Sequence, residues 1–302
     1  TNPRDVNSCY GTIGPSQDAV DMFFMGNGLA INDPNSGYDE TGFSAVENHC
    51  YDPDYKDKKT DQNISNMYAN REPRFYASVV YQGRSWFKKW MNGNPNYIVD
   101  FSAGGGNDLS NGDNVKTGYM LGKFKNRTVN HASGDTQSWK RVSIIYRLAE
   151  FYLFYAEALN ETDPSNPDII KYIDMVRERA GIPGYQTMND NGIKTGIIGN
   201  YDKQFDAIQH ERYVELYCEG QRYFDIRRWM ICGDKDRIGC DQTRFYGMNM
   251  KGSKDKTPGE PTSYYTRTKV ENRQWTDKLY LYPIHQNVIE LANGRIPQNY
   301  GW

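Results

Sequence analysis

Cysteine is scarce in this 302-residue sequence, and the cysteines form no recognisable metal or redox motif. There are five, an odd number spread over the chain: Cys9, Cys50, Cys218, Cys232 and Cys240. No C-x-x-C pair occurs, which argues against zinc sites and thioredoxin-type chemistry. Cys232 and Cys240 are near enough in sequence to close a short disulfide loop, but the cysteines leave the redox compartment open.

Long hydrophobic runs are also absent. A helix that spans a bilayer needs about 20 mostly apolar residues. The longest apolar segment, residues 144–159, is interrupted by Arg147, Glu150 and Glu157. The chain begins TNPRDVNSCYGTIG, without the basic and apolar regions of a signal peptide. Because this start also lacks Met, we expect the chain to be a portion of a longer protein.

The sequence has no excess of charge of one sign. There are 36 Lys and Arg residues against 38 Asp and Glu residues, which gives a net charge of −2. Nucleic-acid binding through phosphates requires a basic surface, so the composition argues against that class of protein. Aromatic residues, in contrast, are abundant, with 24 Tyr, 12 Phe and 6 Trp. Disordered chains are poor in aromatics, so these residues indicate a folded protein.

Motifs of catalysis and cofactor binding are missing. The histidines are scattered and show no metal-ligand spacing: His49, His131, His210 and His285. There is no G-x-S-x-G motif, P-loop or dinucleotide-binding fingerprint. The glycine-rich run at residues 104–114 is similar to a calcium-binding turn, but it occurs once, which favours a plain loop. We therefore predict no catalytic residue, no metal site and no cofactor.

Three regions of different composition follow one another along the chain. Residues 1–138 are rich in Gly, Asn, Asp and Tyr, which predicts long loops with short helices and a few strands. Candidate strands lie at residues 75–82 and 97–101, where β-branched and aromatic residues cluster. Residues 139–232 have the periodicity of a helical scaffold, and residues 233–302 combine a loop with a C-terminal packing segment. The predicted fold is mostly α-helical, with long irregular loops and few short strands.

The scaffold region contains two apolar helical patterns with a short connection. The first consists of residues at helical spacing: Ile144, Ile145, Leu148, Tyr152, Ala156 and Leu159. The second follows Asn166 as N-cap and Pro167 in the first turn, and its face is Ile169, Ile170, Ile173, Val176 and Ala180. Such a pair forms an antiparallel hairpin like one tetratricopeptide unit. Its partners should come from residues 201–220 and from outside this chain.

Charged residues concentrate at residues 210–229, where Glu211, Glu215 and Glu219 share one helical face. Four arginines and an aspartate surround them: Arg212, Arg222, Arg227, Arg228 and Asp225. A glycosidase needs one carboxyl group with a raised pKa, whereas nearby arginines lower the pKa of a carboxyl group. We therefore favour a partly buried ion-pair network over a catalytic site. The same interpretation covers another five residues: Arg147, Glu150, Glu157, Arg177 and Arg179.

Five segments in order carry a resemblance to a known family. They are YANREPRFYASVVYQG (68–83), YRLAEFYLFYAEALNE (146–161), VRERAGIP (176–183), HERYVELYCEGQRYFDIRRW (210–229) and LYPIHQNVIELANGRIPQNYGW (281–302). A further segment, SQDAVDMFFMGNGLAI (16–31), resembles the stretch that leads into the first one. The sequence resembles the SusD/RagB family of outer-membrane nutrient-binding lipoproteins over nearly its whole length. The departures are Glu72 in place of Asp, and His285 and Tyr300 in place of Pro.

The resemblance implies a SusD-like α fold with tetratricopeptide-like helix pairs, of which this chain is the C-terminal portion and the N-terminal half is missing. It implies a lipid-anchored cell-surface protein of the outer membrane, whose anchor lies at an N-terminus absent here. Such proteins take part in polysaccharide utilisation: they capture oligosaccharides and deliver them to a SusC-like TonB-dependent transporter. Some relatives capture peptides instead.

A glycan-binding protein requires aromatic faces for sugar rings and polar side chains for hydroxyl groups, not catalytic groups. The loop-rich region, which is the predicted ligand-facing region, supplies both. Our candidate glycan contacts are Tyr38, Tyr51, Tyr55, Trp86, Trp90, Tyr97, Asn92 and Asn94. We rank Trp86 and Trp90 highest because they flank two lysines in a polar setting. A peptide-binding protein is the alternative, and a glycoside hydrolase is the weakest hypothesis.

Overall fold

In the computed structural model of the protein, the structure describes residues 14–48, 59–86, 97–110, 115–124, 144–234 and 245–302. The helices in these ranges are α1 (Gln17–Asp21), α2 (Pro73–Ser78), α3 (Leu148–Thr162), α4 (Asp168–Arg179), α5 (Tyr185–Asp190), α6 (Tyr201–Glu215), α7 (Gln221–Arg228) and α8 (Gln286–Leu291). Helices dominate, and the predicted mainly α-helical fold with few short strands is confirmed. None of the helices described here has the length and apolar character needed to cross a membrane.

The described strands form three antiparallel pairs. The pairs are β1 (Phe43–Asn48) with β2 (Lys59–Ser65), β3 (Val79–Val80) with β4 (Met120–Leu121), and β5 (Tyr246–Met248) with β6 (Arg267–Lys269). Two-stranded sheets are marginal by themselves. These strands therefore depend on the side chains packed beneath them.

The predicted strand at residues 75–82 is wrong over most of its length. The chain forms α2 up to Ser78 and pairs with β4 only at Val79 and Val80. Pro73 occupies the first turn of α2, where its fixed φ favours a helix. At residues 97–101 the described structure contains a single bridge, between Ile98 and Ser85, in place of the predicted strand.

The hairpin of α3 and α4 is present as predicted, with α6 packed against both helices. The buried face of α4 is the predicted one, centred on Ile169, Ile170 and Ile173. The buried face of α3 agrees with the prediction only in part: Ala156 is buried and Tyr152 and Leu159 pack against the core, as predicted. Leu148 is instead 62% exposed, and Leu153, which was not predicted, is fully buried. Helix α3 is apolar on two sides, and periodicity does not decide which side meets α4 and α6.

The loop-rich region has its own aromatic core. The ring of Tyr68 stacks on the ring of Tyr81 with centroids 4.7 Å apart, and Phe75 lies 5.5 Å from Tyr81. The hydroxyl groups of Tyr68 and Tyr119 are 3.0 Å apart, so their polar tips also have partners inside the core. The guanidinium of buried Arg71 donates to the backbone carbonyl oxygens of Val20 and Phe23. Long loops are thereby held in one arrangement.

The predicted ion-pair network is confirmed around Glu157, Glu211, Glu215, Glu219 and Asp225, and it links the loop-rich region to the helices. The carboxylates on α6 and just after it accept from several cations. The pairs are Arg74–Glu211, Arg74–Glu215, Arg177–Glu211, Arg147–Glu215, Arg179–Glu215, Arg147–Glu219 and Lys123–Glu219. A second group joins α3 to α7 and α6 through Arg228–Glu157, Arg228–Asp225 and Arg212–Asp225. Sequence analysis missed Arg74 and Lys123, which are distant in the chain.

Candidate ligand-binding surface

Most of the candidate glycan contacts lie in two segments of the loop-rich region. Tyr51 and Tyr55 belong to residues 49–58, and Trp90, Asn92 and Asn94 belong to residues 87–96. Both segments lie outside the residues that the structure describes. The described residues at their ends define where each segment leaves and rejoins the fold.

The bases of these two segments are tied together. Asp61, on β2, accepts from the backbone N–H of Ser85 at 3.1 Å and from its hydroxyl group. Ser85 lies two residues before the second segment, and Asp61 lies three residues after the first. The described residues that follow the first segment and precede the second are therefore held next to each other in the fold.

The second segment also begins and ends at paired backbone positions. Trp86 N–H donates to the carbonyl oxygen of Tyr97 at 3.0 Å, and Val99 N–H donates to that of Arg84 at 2.9 Å. Gly83 N–H then donates to the carbonyl oxygen of Val99 at 2.9 Å. Residues 83–86 and 97–99 thus form a narrow hydrogen-bonded neck, which packs on the core below it.

Trp86 does not have the polar setting that its neighbours in the sequence predicted. It is 1% exposed and belongs to the aromatic core of the loop-rich region. The prediction for Trp86 is wrong, because lysines two and three positions later in the sequence do not decide where the indole ring packs. In the described structure, Trp86 anchors the neck of the second segment, and its indole face is occupied by protein.

Tyr97 lies at the far side of the same neck and is half-buried. Its hydroxyl group donates to Asn107 Oδ1 at 3.2 Å, and its ring packs against the core. The neighbouring side chain of Ile98 is 56% exposed. Tyr97 is therefore held in one orientation at the described end of the neck.

Asp100 supports this side of the surface. Its carboxylate accepts from Gln82 Nε2 at 2.8 Å and from Lys254 Nζ at 2.5 Å. Burial alone would raise the pKa of Asp100, but the hydrogen bonds from Lys254, Ser102 and Gln82 lower it. The carboxylate is therefore ionised at neutral pH. Neither Asp61 nor Asp100 was identified from the sequence, because nothing in the local pattern links them to Ser85, Gln82 or Lys254.

The glycine-rich run folds back on Asp108 in the part that the structure describes. The carboxylate of Asp108 accepts from the backbone N–H of Gly104 and of Ser110, both at 3.0 Å. Asn107 N–H donates to the carbonyl oxygen of Asp100 at 2.8 Å. Among the described residues, no group of three or more His, Cys, Asp or Glu side chains is arranged to hold a metal ion.

Tyr38 contacts a different polar cluster. Its hydroxyl group donates to Glu40 Oε1 at 2.9 Å, and the guanidinium of Arg71 lies 5.6 Å from its ring centre. Arg267 in turn pairs with Glu40 and Asp21. Burial raises the pKa of Tyr38, so its hydroxyl group stays protonated and donates a hydrogen bond at physiological pH. These contacts connect Tyr38 to β6 and α1, whereas Tyr97 belongs to the neck of the second segment.

The described structure combines a helical scaffold with a loop-rich region that has its own aromatic core. The family model of the SusD family matches residues 1–302, so the chain belongs to that family. The family resemblance stated from the sequence motifs is confirmed.

Individual relatives agree with this assignment. A curated protein from Formosa agariphila, SusD-like protein P2, is 37% identical over 82 residues, which cover 27% of this chain and 16% of that protein. A solved SusD-like protein from Bacteroides fragilis is 26% identical, with a TM-score of 0.66, over 96% of this chain and 47% of its own. The solved protein BT4246 is also 26% identical, with a TM-score of 0.72, over 96% of this chain and 45% of its own. This chain spans about half the length of these solved relatives.

Proposed function

We propose that this chain is the ligand-contacting portion of a non-catalytic, cell-surface glycan-binding protein. The observation that carries the proposal is the match of the whole chain, residues 1–302, to the SusD family. Its carboxylates also favour binding over hydrolysis. Burial alone would raise the pKa of Glu215, but Arg74, Arg147 and Arg179 lower it to about 2, which does not suit a general acid.

The proposed contacts are the aromatic and amide side chains of the two segments tied together at Asp61 and Ser85. Tyr51, Tyr55 and Trp90 would stack on the apolar faces of sugar rings, and Asn92 and Asn94 would hydrogen-bond to hydroxyl groups. Tyr97, beside Asn107, and Tyr38, beside Glu40, would make further contacts with the sugar. Trp86 would act below them by holding the neck of the second segment in place.

In the complete protein, we propose that a lipid anchor on an N-terminal region holds this portion at the outer membrane. The bound oligosaccharide would pass to a SusC-like TonB-dependent transporter. The net charge of −2 suits recognition of a neutral glycan, which depends on stacking and hydrogen bonds more than on charge. Affinities for single sites of this kind are weak, with Kd on the order of micromolar to millimolar.

Calorimetric titration of the 302-residue chain against neutral glucans, mannans, galactans and xylans tests the proposal, with a peptide digest as a separate arm. We expect binding to at least one polysaccharide class. Trp90→Ala and Tyr55→Ala should each weaken it by about 5- to 10-fold, because a lost ring contact costs about 1 kcal/mol. Tyr201→Ala is the matched control, since Tyr201 is 40% exposed but lies on α6.

Three results would contradict the proposal. Binding of peptides without binding of any glycan would favour the peptide-binding alternative. Release of reducing sugars that stops when one carboxylate is replaced would favour a glycoside hydrolase. Equal weakening by Tyr201→Ala and Trp90→Ala would place the site away from the two segments.

A further inference from the structure

Two loops with described structure pack against each other beside the neck. One comprises residues 100–110, directly after the neck, and the other comprises residues 249–265. Ala103 N–H, on the first loop, donates to the carbonyl oxygen of Gly252, on the second, at 3.0 Å. Because this backbone hydrogen bond holds the loops together, side chains from two distant parts of the sequence share one surface.

An ion pair crosses the contact between the two loops. Lys254 Nζ donates to Asp100 Oδ2 at 2.5 Å. The other oxygen of this carboxylate accepts from Gln82 Nε2 at 2.8 Å and from the hydroxyl group of Ser102 at 2.6 Å. Both oxygens have donors, so the carboxylate is held in one orientation. The hydrogen bond to Asp100 raises the pKa of Lys254, and the pair is therefore ionised at neutral pH.

This ion pair is open to solvent. The side chain of Lys254 is 50% exposed and that of Asp100 is 17% exposed. An ammonium group has three N–H donors, and a carboxylate oxygen can accept more than one hydrogen bond. Asp100 accepts one of the three donors, so the exposed side of Lys254 can still donate to a ligand. The pair therefore offers a donor and an acceptor next to each other.

Tyr97, one of the proposed glycan contacts, belongs to the same part of the surface. Asn107 Oδ1 accepts from the hydroxyl group of Tyr97 at 3.2 Å and from the backbone N–H of Asp100 at 3.3 Å. Two donors that share one oxygen atom are close neighbours. The Asp100–Lys254 pair is therefore adjacent to a side chain that we already assign to glycan binding.

Glycine residues leave the ion pair uncovered. A Cβ atom at Gly105 would lie 2.6 Å from Asp100 Oδ1, so only glycine fits at this contact. Gly104 and Gly106, on either side, have no side chain that could extend over the carboxylate. The first loop thus folds closely against Asp100 and still leaves room for a ligand.

We propose that Asp100 and Lys254 bind two adjacent hydroxyl groups of a neutral sugar ring held beside Tyr97. Lys254 would donate to one hydroxyl oxygen, and Asp100 would accept from the neighbouring hydroxyl group. Hydrogen bonds with one charged partner are about twice as strong as those between neutral groups. This inference rests on the proposed glycan-binding function and adds two residues to its site.

The pair also determines which charge the sugar should carry. The carboxylate of a uronic acid would be attracted by Lys254, but it would be repelled by the negative charge of Asp100 a few ångströms away. Like charges that face each other across an interface oppose binding. Neutral sugars with adjacent hydroxyl groups should therefore bind better than uronic acids.

Calorimetric titration of Lys254→Met in the 302-residue chain tests the inference against the same neutral glucans, mannans, galactans and xylans. We expect the polysaccharide that the wild type binds best to bind about 5- to 10-fold more weakly, because a charge-assisted hydrogen bond is lost. Lys194→Met is the matched control. Lys194 pairs with Asp33 at 2.6 Å and is 44% exposed, but it lies outside both loops, so its variant should bind like the wild type. Both variants should keep the wild-type melting temperature, since exposed ion pairs contribute little to stability.

Asp100→Asn, titrated with polygalacturonate as well as with the neutral polysaccharide, provides a second test. The amide keeps an oxygen that can accept from Gln82 and Ser102, whereas the negative charge is gone. We expect the neutral polysaccharide to bind more weakly and polygalacturonate to bind more tightly. The ratio of the two affinities should therefore fall several-fold.

The results separate this inference from the proposed function. If the wild type binds a glycan but Lys254→Met binds it equally well, the inference is overturned and the proposed function stands. Equal weakening by Lys194→Met, or an unchanged affinity ratio in Asp100→Asn, would also overturn the inference alone. A wild type that binds none of the polysaccharides would overturn both.

Discussion

Arg74 is the side chain through which α2 reaches the scaffold. Its guanidinium donates to Glu72 at 2.6 Å, to Glu211 at 2.5 Å and to Glu215 at 2.9 Å. Glu72 and Glu211 have fully buried side chains, and burial raises the pKa of Glu72. Without Arg74, these carboxylates would lose a main compensating charge. Arg74 thus joins a loop-rich region to a helical one by charge as well as by packing.

We expect Arg74→Met to lower the free energy of unfolding by about 3 to 5 kcal/mol, because it leaves buried carboxylates without their partner. Lys171→Met is the matched control. Lys171 pairs with Asp168 at 2.9 Å, but its side chain is 58% exposed, so its loss should cost at most about 1 kcal/mol. Urea denaturation measures both variants. If both variants lost a similarly small free energy of unfolding, solvent would be stabilising the carboxylates in place of Arg74, which would contradict this prediction.

His210 is a buried histidine within the same region. Its ring stacks on Phe24 with centroids 4.1 Å apart, and Nε2 lies 2.6 Å from the carbonyl oxygen of Met22. Burial lowers the pKa of His210 to about 4, against the opposing effects of the Met22 carbonyl oxygen and Glu211, and Arg177 and Arg74 lower it further. The imidazole is therefore neutral in the folded protein at physiological pH.

His210 should make stability depend on pH. In the unfolded chain its pKa is 6.5 and in the folded chain about 4. Between pH 4 and pH 6.5, the unfolded state therefore binds more protons than the folded state. The stability that neutral His210 gives the folded state is fully present above pH 6.5 and is lost as the pH falls to 4. The loss amounts to about 3 kcal/mol. Urea denaturation at pH 7 and pH 5 should show a smaller pH effect in His210→Gln than in the wild type.

At the scale of elements, α3 has two apolar sides with different partners. One side, with Leu153 and Ala156, is in contact with α4 and α6, and the other side, with Leu148 and Phe151, is exposed. The helix pair resembles a tetratricopeptide unit in this respect, because each unit needs a neighbour to bury its second side. Substitutions on the two sides of α3 should therefore change the free energy of unfolding by different amounts.

We expect Leu153→Ala to cost about 2 to 5 kcal/mol in the 302-residue chain, because it leaves a cavity at a fully buried site. Phe151→Ala should change the free energy of unfolding by no more than about 0.5 kcal/mol, as exposed substitutions usually do. Equilibrium unfolding in urea measures the difference. A large loss in Phe151→Ala would show that the exposed side of α3 already has a partner within this chain.

At the scale of the whole molecule, the same surface affects how the chain behaves when isolated. Apolar side chains are exposed on α3, on α7 and in the C-terminal region, where Tyr282, Leu291 and Tyr300 are 71%, 84% and 83% exposed. Exposed apolar side chains in this number favour association of the chain with other molecules. The aromatic core of the loop-rich region, in contrast, is closed. The two parts should therefore differ in stability.

We expect the isolated 302-residue chain to unfold over a broad temperature range and to bind the dye ANS. The reason is that its scaffold lacks one packing layer while its aromatic core is complete. Differential scanning calorimetry and ANS fluorescence measure these properties. A single sharp transition without ANS fluorescence would contradict this expectation, and it would show that the scaffold does not lack a packing layer.

By itself, the sequence determined the mainly helical fold, the α3–α4 hairpin, the ion-pair network and the family. These follow from periodicity, charge spacing and motifs, which are local along the chain. Only the tertiary structure decided that residues 73–78 are helical, that Trp86 is buried and that α3 turns Leu153 rather than Leu148 inward. It also decided that Asp61 joins Ser85 and that Arg74 reaches Glu211. Each of these features depends on contacts between residues that are far apart in the sequence, and local sequence patterns do not specify such contacts.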